Sequence, residues 1–279
     1  MGAKLRIGLL QMKVRMNKED NLVEAAQMIR QANDAGADIA VLPEMFCCPY
    51  DNCYFEPFAE PQGGKVWQFL SEAARKNSMY LVGGSMPESS NNKVYNTAYV
   101  FNTAGEQIAK HRKMHLFDVD VPGQRFFESQ TLSAGNEVTV FDTVFGRFGL
   151  CICFDIRFFE LSALMALEGA TALIVPASFN MTTGQAHWEL AFRQRAVDNQ
   201  LFTVGVASAR DVDFSYISYG NSIVVSPWGD VICRLDEKEQ ISVVKIDLND
   251  VVNIREQLPI LKNRRTDVYE LIKKKRAEM

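Results

Sequence analysis

Residues 147–158 read RFGLCICFDIRF, an apolar run that ends at a cysteine and continues into a segment with helical spacing. Such a pattern predicts a buried β-strand followed by a sharp corner and an amphipathic helix. A thiol at that corner lies near backbone N–H groups and the positive end of a helix, which both favour the thiolate. The stretch therefore predicts an α/β protein with a cysteine placed to attack a carbonyl group.

Two cysteines in this stretch are candidates for that role. Cys151 and Cys153 are two residues apart, so both point to the same face of a strand and periodicity does not separate them. Cys151 lies inside the apolar run, whereas Cys153 lies at the carboxyl end of the strand, where open α/β sheets bind ligands. We predict Cys153 as the nucleophile. The alternative is that both are inert core cysteines, the usual state of this residue type.

Composition restricts the class of protein. The chain has 279 residues, 47% hydrophobic and 23% charged, which is enough for one extensive core in a single domain over residues 1–279. A net charge of −4 gives no basic surface for nucleic acid. No apolar run has the length of a membrane span or a signal peptide, and the six cysteines form no C-x-x-C pair. We expect a cytoplasmic protein that acts on a small molecule, without nucleic acid or membrane partners.

Strand and helix patterns alternate along the chain without repeats or a dividing linker. Strands are predicted at residues 5–11, 39–42, 80–84, 149–153, 172–175, 203–207, 219–226 and 241–247. Helices are predicted between them, one opening at Asn17 and one running from about Trp188 to Asn199. Two strand patterns within 94–113 flank the turn signal NTAG and predict an antiparallel hairpin. The alternation predicts mixed sheets covered by helices.

Three reactive side chains follow predicted strands at their carboxyl ends. Glu44 follows the strand at 39–42, Lys113 follows the second hairpin strand, and Cys153 ends the strand at 149–153. A thiol of ordinary pKa needs a base to become a nucleophile, and the tetrahedral intermediate on an amide needs a cation or N–H donors for its oxygen. We therefore predict Glu44 as the base and Lys113 as the stabiliser of the oxyanion.

Histidine is the usual base for a cysteine nucleophile and offers a less economical alternative. The chain has only His111, His115 and His187. The first two flank Lys113 with a spacing that would share a helix face, but they lie at a strand end and lack the glutamate of a zinc-protease motif. We predict no metal site, and a papain-like cysteine–histidine pair remains open.

Three motifs resemble the carbon–nitrogen hydrolases of the nitrilase superfamily. They are LPEMF at 42–46, RKMHLFD at 112–118 and CICFDIRF at 151–158. Three further motifs resemble the omega-amidase branch: HLFDVDVPG at 115–123, FNMTTG at 179–184 and IREQLP at 254–259. The resemblance implies a four-layer α-β-β-α sandwich with two mixed β-sheets, which pairs into a layered homodimer or higher homo-oligomer. It also implies that no cofactor is used.

The resemblance implies roles for particular residues. Glu44, Lys113 and Cys153 form the catalytic triad, and Glu128 is a second functional glutamate after the HLFD motif. Its alternative interpretation is an exposed loop carboxylate. The backbone N–H of Phe154 joins Lys113 in holding the oxyanion.

An omega-amidase hydrolyses the terminal amide of a short dicarboxylic monoamide, such as 2-oxoglutaramate, 2-oxosuccinamate or succinamate, through a cysteine thioester. Its pocket must therefore also hold a distal carboxylate, for which arginine and hydroxyl donors are suited. The candidates near the predicted site are Tyr50, Arg157, Asn180 and Thr183. For Arg157, the alternative is an ion pair with Asp155 or Glu160.

Other functions are compatible with the same motifs. Deaminated glutathione amidases and N-carbamoyl amino acid amidohydrolases carry the same triad. A catalytically silent nitrilase-like interaction module is an alternative of another class, against which the three occupied triad positions argue. A redox or metal role for Cys47, Cys48 and Cys53 is disfavoured because the adjacent pair lacks metal-ligand spacing; we expect them to line a loop beside the pocket.

Overall fold

The structure is a computed structural model that describes residues 4–122 and 124–274. Its strands are β1 (Lys4–Gln11), β2 (Ile39–Val41), β3 (Tyr80–Val82), β4 (Met86–Ser90), β5 (Lys93–Phe101), β6 (Gln107–Arg112), β7 (Asp118–Val121), β8 (Gln124–Phe127), β9 (Thr139–Asp142), β10 (Arg147–Leu150), β11 (Ala172–Ala177), β12 (Phe202–Ala207), β13 (Ile223–Val225), β14 (Val231–Arg234) and β15 (Gln240–Asp247). Its α-helices are α1 (Lys18–Asp34), α2 (Asn52–Phe58), α3 (Lys65–Lys76), α4 (Phe159–Leu167), α5 (Met181–Asn199) and α6 (Asn249–Gln257).

The strands form two mixed sheets and one small hairpin. The first sheet has the order β15-β1-β2-β3-β5-β4, with β6 also paired to β5, and the second has the order β14-β13-β12-β11-β10-β9. The three central strands of each sheet, β1 to β3 and β10 to β12, are parallel, while their neighbours are antiparallel. The hairpin predicted at 94–113 is present as β5 and β6, and β7 pairs with β8.

Side chains of the first sheet point alternately into two hydrophobic cores. Leu9 and Val41 face the core shared with the second sheet, whereas Leu10 and Leu42 lie in the core beneath α1 and α3. Because side chains on a strand alternate in direction, one sheet can bury both faces in this way. The sheets thus lie face to face between two helical layers.

Helices α4 and α5 cover the outer face of the second sheet, and glycines allow them to approach it closely. A Cβ atom at Gly205 would lie 2.3 Å from Cζ of Phe192, and one at Gly149 would lie 2.8 Å from the sulfur of Met165. A larger residue at either position would push the helix away from the strand. The resulting layers follow the predicted α-β-β-α order.

Three predicted elements differ from the structure in ways that have a clear physical reason. The helix expected to start near Trp188 begins at Met181, because Asn180 caps it by accepting a hydrogen bond from the Thr183 N–H. The strand predicted at 219–226 is limited to β13, since its first residues pair with other segments. The strand predicted at 149–153 ends at Leu150, and a 3₁₀ turn over Cys153–Arg157 precedes α4.

Candidate active site

Glu44, Lys113 and Cys153 come from three separate strands and lie in one buried cluster. Glu44 follows β2, Lys113 follows β6 directly, and Cys153 lies three residues beyond β10. Their exposed fractions are 1%, 0% and 4%, and the fully buried Glu128 joins them. Burying a charged group costs free energy unless the group is paired. The ion pairs and hydrogen bonds within the cluster therefore determine what each of its groups can do.

The ammonium group of Lys113 lies between two carboxylates. Its Nζ atom is 2.9 Å from Oε1 of Glu44 and 2.9 Å from Oε1 of Glu128, and 3.2 Å from the hydroxyl of Tyr50. Burial by itself lowers the pKa of this lysine, but the charges of Glu128 and Glu44 outweigh it and raise the pKa above its ordinary value. Lys113 is therefore a cation inside the protein.

Glu44 has one occupied and one free oxygen. Oε1 accepts hydrogen bonds from Lys113 Nζ and from Nδ2 of Asn96, the latter at 2.8 Å. Oε2 is buried and accepts no hydrogen bond from an N–H or O–H group within residues 4–122 and 124–274, and the Glu44 carboxyl group lies within reach of the Cys153 thiol. Burial raises the pKa of Glu44, and the charge of Glu128 adds to this, against the opposing effect of Lys113. A carboxylate with a free oxygen and a raised pKa is suited to accept and return a proton.

Cys153 sits in a strained backbone conformation next to this carboxylate. Its φ angle is +46°, in the left-handed region that non-glycine residues rarely occupy, and such strain is typical of functional sites. Burial raises the pKa of the thiol, as does the charge of Glu44, while Lys113 lowers it. The sequence-based expectation that the corner favours a thiolate is therefore wrong for the resting site, and the thiol needs a base.

Cys151, the other cysteine of this stretch, is fully buried in the core between the sheets. This agrees with the interpretation of Cys151 as a small core residue.

Glu128 is buried, which excludes the alternative of an exposed loop carboxylate. Its Oε1 accepts a hydrogen bond from the Tyr50 hydroxyl at 2.5 Å, and its Oε2 accepts one from the Phe117 N–H at 2.6 Å. Both oxygens also lie 2.9 Å from Lys113 Nζ. Because both are occupied, Glu128 holds Lys113 and Tyr50 in place and has no oxygen free for proton transfer.

Four residues were predicted to contact a distal carboxylate, and the structure gives them different surroundings. Tyr50 belongs to the Lys113 and Glu128 cluster. Asn180 accepts hydrogen bonds at Oδ1 from the backbone N–H and the hydroxyl of Thr183, so the Thr183 hydroxyl is already used. The buried Nδ2 of Asn180 has no partner within the described chain. Arg157 also keeps a buried atom, Nε, without a partner there.

The guanidinium of Arg157 lies beside aromatic groups. Its central carbon is 4.8 Å from the ring centre of Phe179, and one terminal nitrogen is 3.1 Å from Nδ1 of His187. The alternative of an ion pair with Asp155 or Glu160 is not found among the described residues. Arg157 Nε and Asn180 Nδ2 are thus two buried hydrogen-bond donors without a partner in the described part of the chain.

The histidines do not pair with the thiol. His111 and His115 both hydrogen-bond Asp155, and His187 contacts Arg157. This geometry argues against a papain-like cysteine–histidine pair. Across the described residues, no group of three or more metal-binding side chains could hold a metal ion.

The clustered cysteines are neither paired nor equivalent. Cys47 and Cys48 are buried, Cys53 is exposed, and each is a free thiol. Cys48 lines a cavity that extends from Glu44 and Tyr50 to Tyr216. Of the three, Cys48 is therefore beside the pocket as expected. Burial raises the pKa of Cys47 to about 12.

The sequence analysis did not identify two residues around the cluster, Asn96 and Tyr216. Asn96 was detectable as a polar residue at an inward position of β5, where it contacts Glu44. Tyr216 donates a hydrogen bond to the Ser178 carbonyl at 2.5 Å, and its ring centre is 4.4 Å from that of Tyr50. Tyr216 lies in an irregular loop, so no periodic pattern indicated it.

Comparison with known proteins identifies the family. The carbon–nitrogen hydrolase family model matches residues 6–256. The chain is a carbon–nitrogen hydrolase. This hydrolase is 47% identical to Omega-amidase NIT2 of Bos taurus over 274 residues, which cover 98% of this chain and 99% of the relative. It is 46% identical to Omega-amidase NIT2 of Homo sapiens over 271 residues, covering 97% and 98% of the two chains.

Solved structures agree with this assignment. Saccharomyces cerevisiae Nit3, a member of branch 10 of the nitrilase superfamily, matches the hydrolase with a TM-score of 0.87 and 39% identity over 94% of this chain and 97% of Nit3. The Caenorhabditis elegans NitFhit protein matches with a TM-score of 0.88 and 32% identity over 97% of this chain and 67% of that protein. The superfamily predicted from three sequence motifs is confirmed.

Proposed function

We propose that this hydrolase is an omega-amidase, which converts the terminal amide of a short dicarboxylic monoamide to the acid and ammonia. The observation that carries the proposal is the buried cluster in which Glu44 keeps one oxygen free beside the Cys153 thiol and Lys113 supplies a fixed cation. The omega-amidases that are 46–47% identical over almost the whole chain support the substrate class.

The first half of the proposed reaction forms a thioester. Oε2 of Glu44 accepts the thiol proton, and the sulfur of Cys153 attacks the amide carbon. The developing oxyanion is held by the ammonium of Lys113 and the backbone N–H of Phe154. Glu44 then donates the proton to the amide nitrogen, the C–N bond breaks, and ammonia leaves.

The second half hydrolyses that thioester. Glu44, ionised again, accepts a proton from a water molecule, which attacks the thioester carbon. The intermediate collapses, the C–S bond breaks, and the proton returns to the sulfur. Glu128 keeps Lys113 in position through both halves, because its two oxygens lie 2.9 Å from the ammonium nitrogen.

The distal carboxylate of the substrate is proposed to bind Arg157 and Asn180. Each has a buried N–H group without a partner in the described chain, and a carboxylate accepts such donors through charge-assisted hydrogen bonds. Thr183 contributes by holding Asn180 through two hydrogen bonds. Tyr50 closes the other side of the pocket next to Lys113.

We also propose that residues 1–279 form a single domain and that two copies of the chain pair through a face covered by helices. We place this protein in the cytoplasm as part of the same proposal. Three large apolar side chains of α4, α5 and the loop after β13 have large exposed fractions, which are 55% for Phe159, 63% for Leu190 and 61% for Trp228. Exposed apolar surface of this kind is typical of an interface with a second copy.

The unpaired cysteines suit a reducing compartment. No helix in the described part of the chain is long and apolar enough to span a membrane.

Substrate turnover tests the proposed function. Purified enzyme would be assayed for ammonia release from 2-oxoglutaramate, succinamate, deaminated glutathione and an N-carbamoyl amino acid. We expect the first two to be the best substrates. If both are inert while another amide is hydrolysed, the omega-amidase assignment is wrong. If no amide is hydrolysed and Cys153 is unreactive, the chain is a silent interaction module.

Trapping tests the thioester. Hydroxylamine added during turnover should yield the hydroxamate of the acyl group, because it competes with water for the thioester. The Cys153→Ala variant should yield none, whereas Cys151→Ala should retain the product. Hydroxamate formation by Cys153→Ala would exclude the proposed intermediate.

A further inference from the structure

We propose that Asp155 is a positioning residue that holds the segment of Lys113 and the turn of Cys153 in register. The inference rests on the proposed function for the identity of the reacting groups. Asp155 lies two residues after Cys153 in the same turn and is completely buried, and within the described part of the chain it does not hydrogen-bond the side chain of Glu44, Lys113 or Cys153. Its effect on the reaction must therefore pass through other residues.

One oxygen of Asp155 binds the segment that carries Lys113. Oδ1 accepts hydrogen bonds from the backbone N–H of Met114 at 3.2 Å and of His115 at 2.9 Å. It also lies 2.8 Å from ring Nδ1 of His115. Met114 and His115 follow Lys113 directly, so these bonds determine the backbone position from which the lysine side chain extends.

The other oxygen binds the turn that carries the nucleophile. Oδ2 accepts a hydrogen bond from the backbone N–H of Ile152 at 3.0 Å, and the N–H of Asp155 donates to the Ile152 carbonyl at 3.0 Å. Ile152 precedes Cys153, whose φ angle of +46° is unfavourable for a cysteine. Strained conformations persist only where the surroundings over-determine them, and this reciprocal pair of hydrogen bonds does so.

The same oxygen is supported from β6. Ring Nε2 of His111 lies 3.0 Å from Oδ2, and ring Nδ1 of His111 lies 3.0 Å from the Thr139 hydroxyl. Burial raises the pKa of Asp155, but the hydrogen bonds from His111 and His115 outweigh this and place the pKa well below its ordinary value. Asp155 is therefore ionised and accepts from both segments at once.

Asp155→Asn removes one acceptor without changing the size of the side chain. If the amide oxygen stays with the three donors around Met114 and His115, the amide NH₂ faces the Ile152 N–H, which then has no acceptor. The turn at Cys153 loses the bond that holds its strained conformation. We expect kcat for succinamate to fall on the order of 100-fold with KM little changed, because small misplacements of reacting groups have effects of this size.

The closing experiment measures the nucleophile directly. The second-order rate constant for alkylation of Cys153 by iodoacetamide, mapped by mass spectrometry, should fall by about tenfold or more in Asp155→Asn, in proportion to the misplacement of thiol and base. Near-UV circular dichroism gives the folded fraction for normalisation. Asp142→Asn is the matched control, since Asp142 pairs with Arg147 at the surface and should leave both rates unchanged.

A second pair of variants covers the case in which Asp155→Asn does not fold. His111→Ala and His115→Ala each remove one ring donor from the carboxylate and leave its backbone bonds intact. The activation free energy for alkylation of Cys153 should rise more in the double variant than the sum of its rises in the two single variants, because both rings contact the same Asp155 carboxylate.

Two results would overturn the proposal. The first is a folded Asp155→Asn enzyme with wild-type kcat and alkylation rate. The second is a loss of activity that only follows the folded fraction. The proposed function fails separately: if no dicarboxylic monoamide is hydrolysed while alkylation of Cys153 still depends on Asp155, the positioning role stands and the substrate assignment falls.

Discussion

Glu44 and Asp155 are both buried carboxylates in the same part of the molecule, and their surroundings are opposite. Asp155 accepts from three backbone N–H groups and contacts two histidine rings, and its pKa is lowered. Glu44 has two N–H donors on one oxygen and no N–H or O–H donor on the other, it lies within reach of the Cys153 thiol, and its pKa is raised. A fully bonded carboxylate is suited to hold structure, and a partly bonded one is suited to move protons.

Two arginines show the same division. Arg195 uses its guanidinium on the carbonyls of Ile156 and Arg157, whereas Arg157 leaves Nε free. Buried polar groups are nearly always hydrogen-bonded, so the free Nε of Arg157 is consistent with the carboxylate site proposed above. Four predictions test this distinction between occupied and open groups.

The largest effect is expected for Glu44→Gln. The amide keeps an oxygen for Lys113 and Asn96 but cannot take the thiol proton, so kcat/KM should fall on the order of 1000-fold. Thermal unfolding should change little, in contrast to Asp155→Asn, which should lose both activity and stability. A Glu44→Gln enzyme with more than a tenth of wild-type kcat/KM would show that another group is the base.

Lys113→Met should have the next largest effect on turnover. Removing one oxyanion donor costs on the order of 100- to 1000-fold in kcat. The change also leaves Glu44 and Glu128 buried without their cation, so the free energy of unfolding, measured by urea denaturation, should fall by about 3–5 kcal/mol. Lys76→Met, which removes an exposed ion pair with Glu72, is the control and should be nearly neutral. Unchanged stability of Lys113→Met would mean that the carboxylates are not charged.

Arg157→Gln should affect binding more than chemistry. Loss of a hydrogen bond to a charged group costs about 1.5–3 kcal/mol, so KM for succinamate should rise by about 10- to 100-fold. Butyramide has the same length but no carboxylate, and its kcat/KM should be almost the same in both enzymes. Equal losses with the two amides would place Arg157 outside the carboxylate site.

The effects of pH should be the most gradual of the four. Glu44 must be ionised to accept the thiol proton and its pKa is raised, so kcat/KM should decline as pH falls while still above the ordinary value of 4.5. Asp155 has a lowered pKa, so its stabilisation is complete above the ordinary value of 3.8 and is lost as pH falls further. Between these limits the enzyme should be folded but inactive.

Urea unfolding at a series of pH values measures the second limit. The stability difference between wild type and Asp155→Asn should shrink below pH 3.8, the ordinary pKa of the group. A difference that stays constant down to pH 2 would show that the charge of Asp155 makes no contribution.

Local sequence patterns predicted the sheet-forming segments well and their ends less well. The strands predicted at 39–42 and 172–175 from continuous apolar runs are present as β2 and β11, and the hairpin predicted from its turn residues is present as β5 and β6. The start of α5 was missed by seven residues, because the segment from Met181 lacks a clear apolar face and its start depends on the Asn180 cap. Boundaries depend on such single hydrogen bonds, whereas the interior of an element depends on many residues.

The sequence by itself determined the family and the alternation of strands and helices, and it predicted Glu44, Lys113 and Cys153 as reactive side chains at strand ends. These follow from residue types and their spacing along one chain. Only the tertiary structure decided that Glu128 is buried against Lys113, that Glu44 keeps an open oxygen, and that Asp155 joins two distant segments. The reason is that pKa and hydrogen bonding depend on burial and on neighbours from other segments, and no local pattern records them.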